Sequence, residues 1–196
     1  MSILCEFDLV RFSQTNRYAM NVGIFSVRIL GDPVLRQRSS DVVEFDGDLA
    51  RLAETMITAM YEAHGIGLAA PQVGVLKRMY TYDLGSGPET LINPTIVESE
   101  GECLYGEGCL SVPGLTVDIL RPERVTVQGL DLNGKEVVFS GDDLMGRLIQ
   151  HEIDHLDGVL LLDRLDPDAR RAALKEFRRI CELGGEQRAD DGVPRL

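Results

Sequence analysis

Residues 150–155, Gln-His-Glu-Ile-Asp-His, combine the side chains that metal-dependent hydrolysis requires. On an α-helix, His151 and His155 would project from one face, separated by about 40° around the axis, and could share one metal ion. Glu152 would follow the first histidine at about 100°, so its carboxylate could reach a water on the metal without itself being a ligand. The spacing therefore predicts two imidazole ligands and a general base.

The residues alone leave the third protein ligand open. A catalytic site keeps one position for water, whereas a structural zinc site adds two more cysteine or histidine ligands. The chain has three histidines and four cysteines, without a Cys-x-x-Cys pair. Cys109 stands out because Gly108 lets the backbone approach a ligand closely, although a free cysteine can also be a small buried apolar side chain. The other candidates are Cys5, Cys103, Cys181, His64 and the carboxylates.

Composition and charge limit the class of protein. The chain has 196 residues, of which 44% are hydrophobic and 27% charged, and this predicts one globular domain with a real core. No apolar run approaches the length of a membrane span, and residues 1–17 lack the basic start and the cleavage pattern of a signal peptide. The net charge of −12 argues against general nucleic-acid binding. We therefore expect a cytoplasmic protein that binds neither DNA nor membranes directly.

Three segments are expected along the chain. Residues 1–22 precede the first strand-like stretch, and Met20 could serve as an alternative start, so this N-terminal extension is expected to be dispensable or disordered. Residues 23–183 are predicted to form a single catalytic domain. Residues 184–196 are predicted to form a polar C-terminal tail.

Apolar periodicity predicts three helices. One covers residues 48–63, with Gly65 as its C-cap. We interpret His64 as a histidine near the last carbonyls of this helix rather than as a metal ligand. The second carries residues 150–155 and is capped by Asp142 or Asp143. The third begins at Asp166-Pro167 and ends near Gly184-Gly185.

Alternating apolar residues and turn signals predict strands between these helices. They cover residues 24–30, 78–83, 90–97, 124–130, 136–140 and 159–162, with an Asn133-Gly134 hairpin turn and a bend at Asn93-Pro94. The pattern predicts an α+β fold, in which antiparallel β-sheets pack around a central metal-binding helix and a C-terminal helix follows.

Three motifs in this order resemble the signature motifs of the peptide deformylases. They are Gly-Ile-Gly-Leu-Ala-Ala-Pro-Gln at residues 65–72, Glu-Gly-Cys-Leu-Ser at 107–111 and Gln-His-Glu-Ile-Asp-His at 150–155. The similarity covers about residues 24–165, with a C-terminal helix like that of the bacterial type. A single His-Glu-x-x-His motif has a real false-positive rate, but three motifs together leave little room for coincidence.

The resemblance implies that Cys109, His151 and His155 bind one divalent metal. Fe²⁺ is the expected ion, and Zn²⁺, Ni²⁺ or Co²⁺ are expected substitutes. It implies hydrolysis of the formyl group from the N-terminal formyl-methionine of new polypeptides, which releases formate. Glu152 would take a proton from the attacking water and pass it to the leaving nitrogen. The side chain of Gln72 and the backbone N–H of Leu110 would stabilise the formyl oxygen, and Gly67 is assigned to the same catalytic centre.

The resemblance also suggests a substrate pocket and a supporting ion pair. The methionine pocket and the peptide-binding backbone are assigned to Tyr105, Leu144, Leu148, the stem of Arg147, Ile66, Gly67 and Gly108. Arg147 stands where relatives often carry an aliphatic residue. Glu107 is expected to be held by Arg121, and Asp154 to be structural and to face away from the ligands.

Two other functions compete with this interpretation. A zinc peptidase would share the His-Glu-x-x-His motif but would use a glutamate or a third histidine as ligand, which leaves the Gly-Cys loop unexplained. A non-enzymatic metal-binding protein is the second alternative.

The last helix could also dock on the ribosome through its basic residues. The simpler interpretation is a solvent-exposed helix face, because the same helix carries acidic residues too. The basic residues concerned are Arg170, Arg171, Lys175, Arg178 and Arg179.

Overall fold

The computed structural model describes residues 21–22 and 25–183 of the chain. Three predicted features therefore lie outside the described residues. They are the N-terminal extension apart from residues 21–22, the helix end at Gly184-Gly185, and the polar tail. The helices are α1 (Gly47–Glu62), α2 (Asp143–Leu156) and α3 (Pro167–Glu182), with 3-10 turns at Pro33–Arg36, Ala70–Val73 and Leu161–Arg164. The strands are β1 (Asn21–Val22), β2 (Phe25–Ser26), β3 (Gly67–Ala69), β4 (Met79–Tyr82), β5 (Glu89–Glu100), β6 (Cys103–Cys109), β7 (Val112–Arg121), β8 (Arg124–Leu130) and β9 (Glu136–Gly141).

Antiparallel sheets surround helix α2, which confirms the predicted α+β class. One sheet has the strand order β3-β4-β5-β8-β9, and two-stranded sheets pair β6 with β7 and β1 with β2. Helix α2 packs on β3, β8 and β9, while α3 packs on β7. Within the described part of the chain, no helix combines the length and the apolar character that crossing a membrane would need.

Helix α2 is buried along most of its length because apolar residues recur on it at helical spacing. Leu148 and Ile149 are fully buried and share one core cluster with Tyr80 and Leu91. Asp142, one of the two predicted capping residues, occupies the N-cap position, but its side chain makes no capping hydrogen bond. The start of α2 is therefore held by packing of its apolar face rather than by a side-chain cap.

Helix α1 agrees with its prediction to within one residue, but its C-terminal cap does not. The Asp46 side chain accepts hydrogen bonds from the backbone at the first turn. At the other end, His64 takes the left-handed conformation with φ 56, and the N–H groups of His64 and Gly65 donate to Tyr61 and Met60. This is a Schellman motif in which a histidine, not the expected Gly65, is the left-handed residue.

The turn signals between strands are confirmed. Asp131 accepts hydrogen bonds from the backbone N–H groups of Asn133 and Lys135, and Gly134 has φ 76, so the hairpin between β8 and β9 follows the Asn-Gly signal. In β5, Asn93 has φ 51, and the pairing with β8 shifts register between Ile92 and Thr95. The expected bend is therefore a bulge.

Two of the predicted strands are wrong in part or in full. Residues 159–162 do not form a strand. Leu161 and Leu162 instead begin the 3-10 turn Leu161–Arg164, in which Asp163 accepts a hydrogen bond from the N–H of Leu160. A short apolar run cannot by itself distinguish a strand from a buried turn. Of the predicted strand at residues 24–30, the structure describes residues 25–30, and among these only Phe25–Ser26 is a strand.

The rest of that N-terminal stretch nevertheless connects two of the motifs. The backbone N–H of Arg28 donates to the carbonyl of Gln72 at 2.7 Å, and that of Leu30 donates to the carbonyl of Ser111 at 2.8 Å. These hydrogen bonds lie outside any sheet ladder, and they hold the first two motifs side by side.

Candidate active site

The three sequence motifs meet at one point because a different element delivers each of them. Cys109 is the last residue of β6, at a register shift in which Gly108 pairs with Thr116 and Cys109 pairs with Val112. Such a bulge turns the side chain of the last residue away from the regular alternation of the strand. His151 and His155 project from α2 toward it, and the 3-10 turn Ala70–Val73 places Gln72 beside Cys109.

Cys109, His151 and His155 form a buried cluster. One ligand atom from each lies within 4.8 Å of the other two, and all three residues are at least 98% buried. The Cys109 Sγ lies 3.2 Å from Nε2 of His155, and the two imidazole rings stand edge to face with centroids 4.9 Å apart. The structure therefore brings together the three residues that the sequence suggested as ligands.

The unsatisfied atoms of this cluster test whether a metal fits. Nε2 of His151 and both carboxylate oxygens of Glu152 are buried and have no hydrogen-bond partner among the described residues. Buried polar atoms without partners are costly, and several of them at one point indicate a ligand that supplies the missing interactions. One thiolate and two imidazoles are donors that suit Fe²⁺, Zn²⁺, Co²⁺ or Ni²⁺, so a divalent transition metal fits this site.

The charges around Cys109 favour the form of the cysteine that binds a metal. Burial alone would raise the pKa of Cys109, but the positive charges of His155 and His151 lower it to about 5. Burial alone would lower the pKa of His151, but the negative charge of Cys109 and the hydrogen bond to Glu107 raise it to about 10. The lowered pKa of Cys109 favours its thiolate, which is the state that binds a metal.

Glu152 lies in the same buried space with a different charge balance. Burial raises the pKa of its carboxyl to about 8, although the positive charge of His151 acts in the opposite direction. A carboxyl that titrates near neutral pH can both accept and return a proton. The geometry and the charge therefore suit Glu152 to the role of a general base that later acts as an acid.

A chain of buried ionic groups orients His151. Glu107 accepts a hydrogen bond from Nδ1 of His151 at 3.1 Å, and Arg121 donates to both oxygens of Glu107 at 2.6 and 3.0 Å. Burial would raise the pKa of Glu107, but the hydrogen bonds from His151 and Arg121 lower it to about 2. With Nδ1 so engaged, Nε2 of His151 is the nitrogen left to face the cluster.

The chain continues through residues that sequence reasoning did not connect. Arg121 also donates to Asp154 at 2.9 Å, and Asp154 accepts a further hydrogen bond from Nε of Arg164 at 3.0 Å. Asp154 was expected only to be structural; it is the second carboxylate of this network, beside Glu107. No sequence signal identified Arg164, since it lies outside the motifs and 43 positions after Arg121.

A hydrogen bond to its side-chain amide holds Gln72 beside the cluster. Its Oε1 accepts a hydrogen bond from the N–H of Ala69 at 2.8 Å, which directs Nε2 toward Ser111 Oγ at 3.2 Å and Cys109 Sγ at 3.9 Å. Ser111 was not assigned a role from the sequence. Leu110, the other expected donor, is buried, and a Cβ on Gly65 would lie 2.7 Å from its side chain, so the first two motifs touch here as well.

The residues expected to line the substrate pocket do not all share one surface. The Arg147 guanidinium lies 3.5 Å above the ring of Tyr105, and both residues line a cavity of about 400 Å³ one helical turn from His151. Leu148 is fully buried in the core, and Leu144 is half-buried on the first turn of α2. Gly67 is buried at the start of β3, Gly108 is buried next to the last residue of β6, and half-buried Ile66 directly precedes β3.

The fold and the site define a metal-dependent hydrolase of the His-Glu-x-x-His type with a cysteine as the third candidate ligand. Comparisons with known proteins narrow this class. The family model described as polypeptide deformylase matches residues 24–171. The chain belongs to this family, and it is an enzyme.

Individual relatives are similar in sequence to this chain over most of their length. The peptide deformylase of Thermodesulfovibrio yellowstonii is 48% identical over 162 residues, which are 80% of this chain and 98% of the relative. That of Desulfitobacterium hafniense is 44% identical and covers 76% of this chain and all of the relative.

Solved structures of peptide deformylases also match the fold of this chain. The peptide deformylase of Legionella pneumophila matches with a TM-score of 0.79 at 39% identity, over 84% of this chain and 99% of that chain. The enzyme of Synechococcus elongatus, solved in complex with actinonin, matches with a TM-score of 0.76 at 39% identity, over 88% and 91% of the two chains.

Proposed function

We propose that Cys109, His151 and His155 hold the divalent metal with which this chain removes the formyl group from the N-terminal formyl-methionine of newly made polypeptides. The observation that carries the assignment is the buried cluster itself, in which one atom from each residue lies within 4.8 Å of the others. When bound, the metal supplies a Lewis acid that polarises the formyl carbonyl and makes water more acidic.

The residues of the chain provide the remaining steps. The carboxylate of Glu152 accepts a proton from the attacking water and then delivers it to the nitrogen that leaves as formate is released. The Gln72 amide and the Leu110 N–H donate hydrogen bonds to the formyl oxygen as it gains negative charge. Glu107, oriented by Arg121, keeps the His151 ring in the orientation that presents Nε2 to the metal.

The proposed metal is Fe²⁺, with Zn²⁺, Ni²⁺ and Co²⁺ as functional substitutes. The support is the donor set, since a thiolate and two imidazoles favour these ions over Mg²⁺ or Ca²⁺. Protein purified without oxygen should lose activity in air if it holds Fe²⁺, whereas the Ni²⁺-loaded protein should keep it.

The methionine side chain is assigned to a pocket beside α2. Tyr105, Arg147, Leu144 and Leu148 are its proposed wall, with the Tyr105–Arg147 stack as the part that lines an open cavity. The peptide backbone would extend past Ile66, Gly67 and Gly108, which lie at or next to the ends of β3 and β6.

Substitution of Glu152 by alanine tests the function. The variant should keep its metal and lose formate release from a formyl-Met peptide, while Glu54→Ala, an exposed change on α1, should leave both unchanged. A zinc peptidase would instead cleave internal peptide bonds of the same substrate. Full formate release by Glu152→Ala would refute the assigned role of Glu152.

The cellular location and the ribosome as a partner are both proposed from this substrate. New polypeptides leave ribosomes in the cytoplasm, so we place the enzyme there, with ribosome docking through α3. Part of the basic surface of α3 is already occupied, because Arg171 pairs with Asp168 and Arg179 pairs with Glu176. Charge reversal of the α3 basic residues should reduce co-sedimentation with ribosomes more than reversal of Arg51 and Lys77; equal co-sedimentation would end the docking proposal.

A further inference from the structure

Gly67 occupies a place where the backbone does not require glycine. It is the first residue of β3, it pairs with Tyr82 across the sheet, and it is not among the glycines with positive φ. Glycine in a regular strand weakens that strand, because it gives up side-chain packing and costs more backbone entropy. A buried strand glycine of this kind usually marks a close approach by another group.

The group that approaches Gly67 is the carboxyl of Glu152. A Cβ atom on Gly67 would overlap with Oε1 of Glu152 and lie 3.1 Å from its Cδ. Both carboxylate oxygens are buried without a hydrogen-bond partner among the described residues. Packing against the bare Cα of Gly67 is therefore what limits the position of the carboxyl on this side.

We propose that Gly67 is a positioning residue for Glu152: its lack of a side chain creates the space that holds the carboxyl beside Cys109, His151 and His155. This goes beyond the peptide-backbone contact assigned to Gly67 above, and it rests on the proposed function, in which Glu152 transfers the proton. The first motif thus contributes the shape of the proton-transfer site as well as the donor Gln72.

Kinetics of Gly67→Ala test the proposal. A methyl group displaces the carboxyl by about 1 Å, and misplacement on that scale costs roughly 100-fold in rate. The variant should bind its metal at the wild-type stoichiometry and show this loss in kcat, with little change in KM for a formyl-Met peptide. A residue that only contacts the peptide would raise KM instead, and that outcome would overturn the proposal.

Gly106→Ala is the matched control. It adds the same methyl group in strand β6, where the new Cβ would lie 3.3 Å from Thr116 and 3.5 Å from Asp118, so these neighbours need to move only slightly. Formate release and metal content should remain at the wild-type level. A loss of kcat equal to that of Gly67→Ala would show that the effect is not specific to the carboxyl.

A double variant separates positioning from a general folding defect. Gly67→Ala should lower the melting temperature in the wild-type background but much less in Glu152→Ala, because removal of the carboxyl vacates the space that the methyl group needs. An equal loss in both backgrounds would refute the proposal. This thermal test does not depend on activity, so if Glu152→Ala released formate normally, the proposed function would fail while the steric coupling could still be measured.

Discussion

Replacement of Arg121 by methionine should destabilise the protein strongly, although the residue touches neither metal nor substrate. The side chain is 4% exposed and compensates two buried carboxylates, Glu107 at 1% exposure and Asp154 at 9%. Methionine keeps much of the apolar volume but removes the charge. Removal of one partner from a buried ionic group costs about 3–5 kcal/mol, because the remaining charges lose their compensation.

We expect the lower end of this range, about 3 kcal/mol, because each carboxylate keeps a second partner. Glu107 still accepts from His151, and Asp154 still accepts from Arg164. For a protein of this size, about 3 kcal/mol corresponds to a fall in melting temperature of roughly 6–12 °C. Metal affinity should fall by about 10- to 100-fold as well, since Glu107 no longer fixes the His151 ring.

Urea unfolding of metal-loaded protein, combined with metal titration, measures both effects. Arg171→Met is the control, because Arg171 forms an ion pair of the same chemical type with Asp168 on the exposed surface of α3, and it should change neither quantity measurably. If Arg121→Met were as stable as this control and bound metal equally well, the buried network would have no role in holding the site together.

Three further predictions concern single positions. Gln72→Leu should lower kcat by about 100-fold, measured as formate release, through loss of a donor to the formyl oxygen; an effect on KM alone would contradict that role. In the metal-free protein, with the other three cysteines replaced by serine, the ultraviolet thiolate signal of Cys109 should appear as pH rises through about 5, and a midpoint in the ordinary thiol range would contradict the charge pairing. Gly158→Ala should cost at least about 1–3 kcal/mol in urea unfolding, because Gly158 has φ 73 and a Cβ would lie 2.8 Å from the backbone of Arg36; unchanged stability would show that this turn relaxes freely.

The sequence predicted most fully the elements whose signals are local. The periodicity of α1, the Asn133-Gly134 turn and the Asp166-Pro167 start of α3 are each determined by residues within a few positions of one another. The three motifs also identified the residues that meet at the site, because their spacing and side-chain types reflect the chemistry directly. The left-handed His64 was missed, since Gly65 offered the more usual choice for that conformation.

The features that could not be predicted depend on tertiary contacts. The apolar residues 159–162 are compatible with either a strand or a buried turn, and the structure shows the turn, in which the N–H of Leu160 donates to Asp163. The link from Arg164 through Asp154 to Arg121 joins side chains from different elements. The space that Gly67 leaves for Glu152 likewise becomes visible only when β3 is packed against α2.

Formate release as a function of metal bound per chain is the most direct test of the central claim, namely that Cys109, His151 and His155 hold the metal that catalysis uses. Anaerobically prepared protein should release formate from a formyl-Met peptide in proportion to its metal content, with full activity at about one ion per chain. Replacement of all three residues by alanine should abolish both the bound metal and the activity. Undiminished formate release from metal-free protein, or one ion per chain retained by the triple variant, would contradict the account.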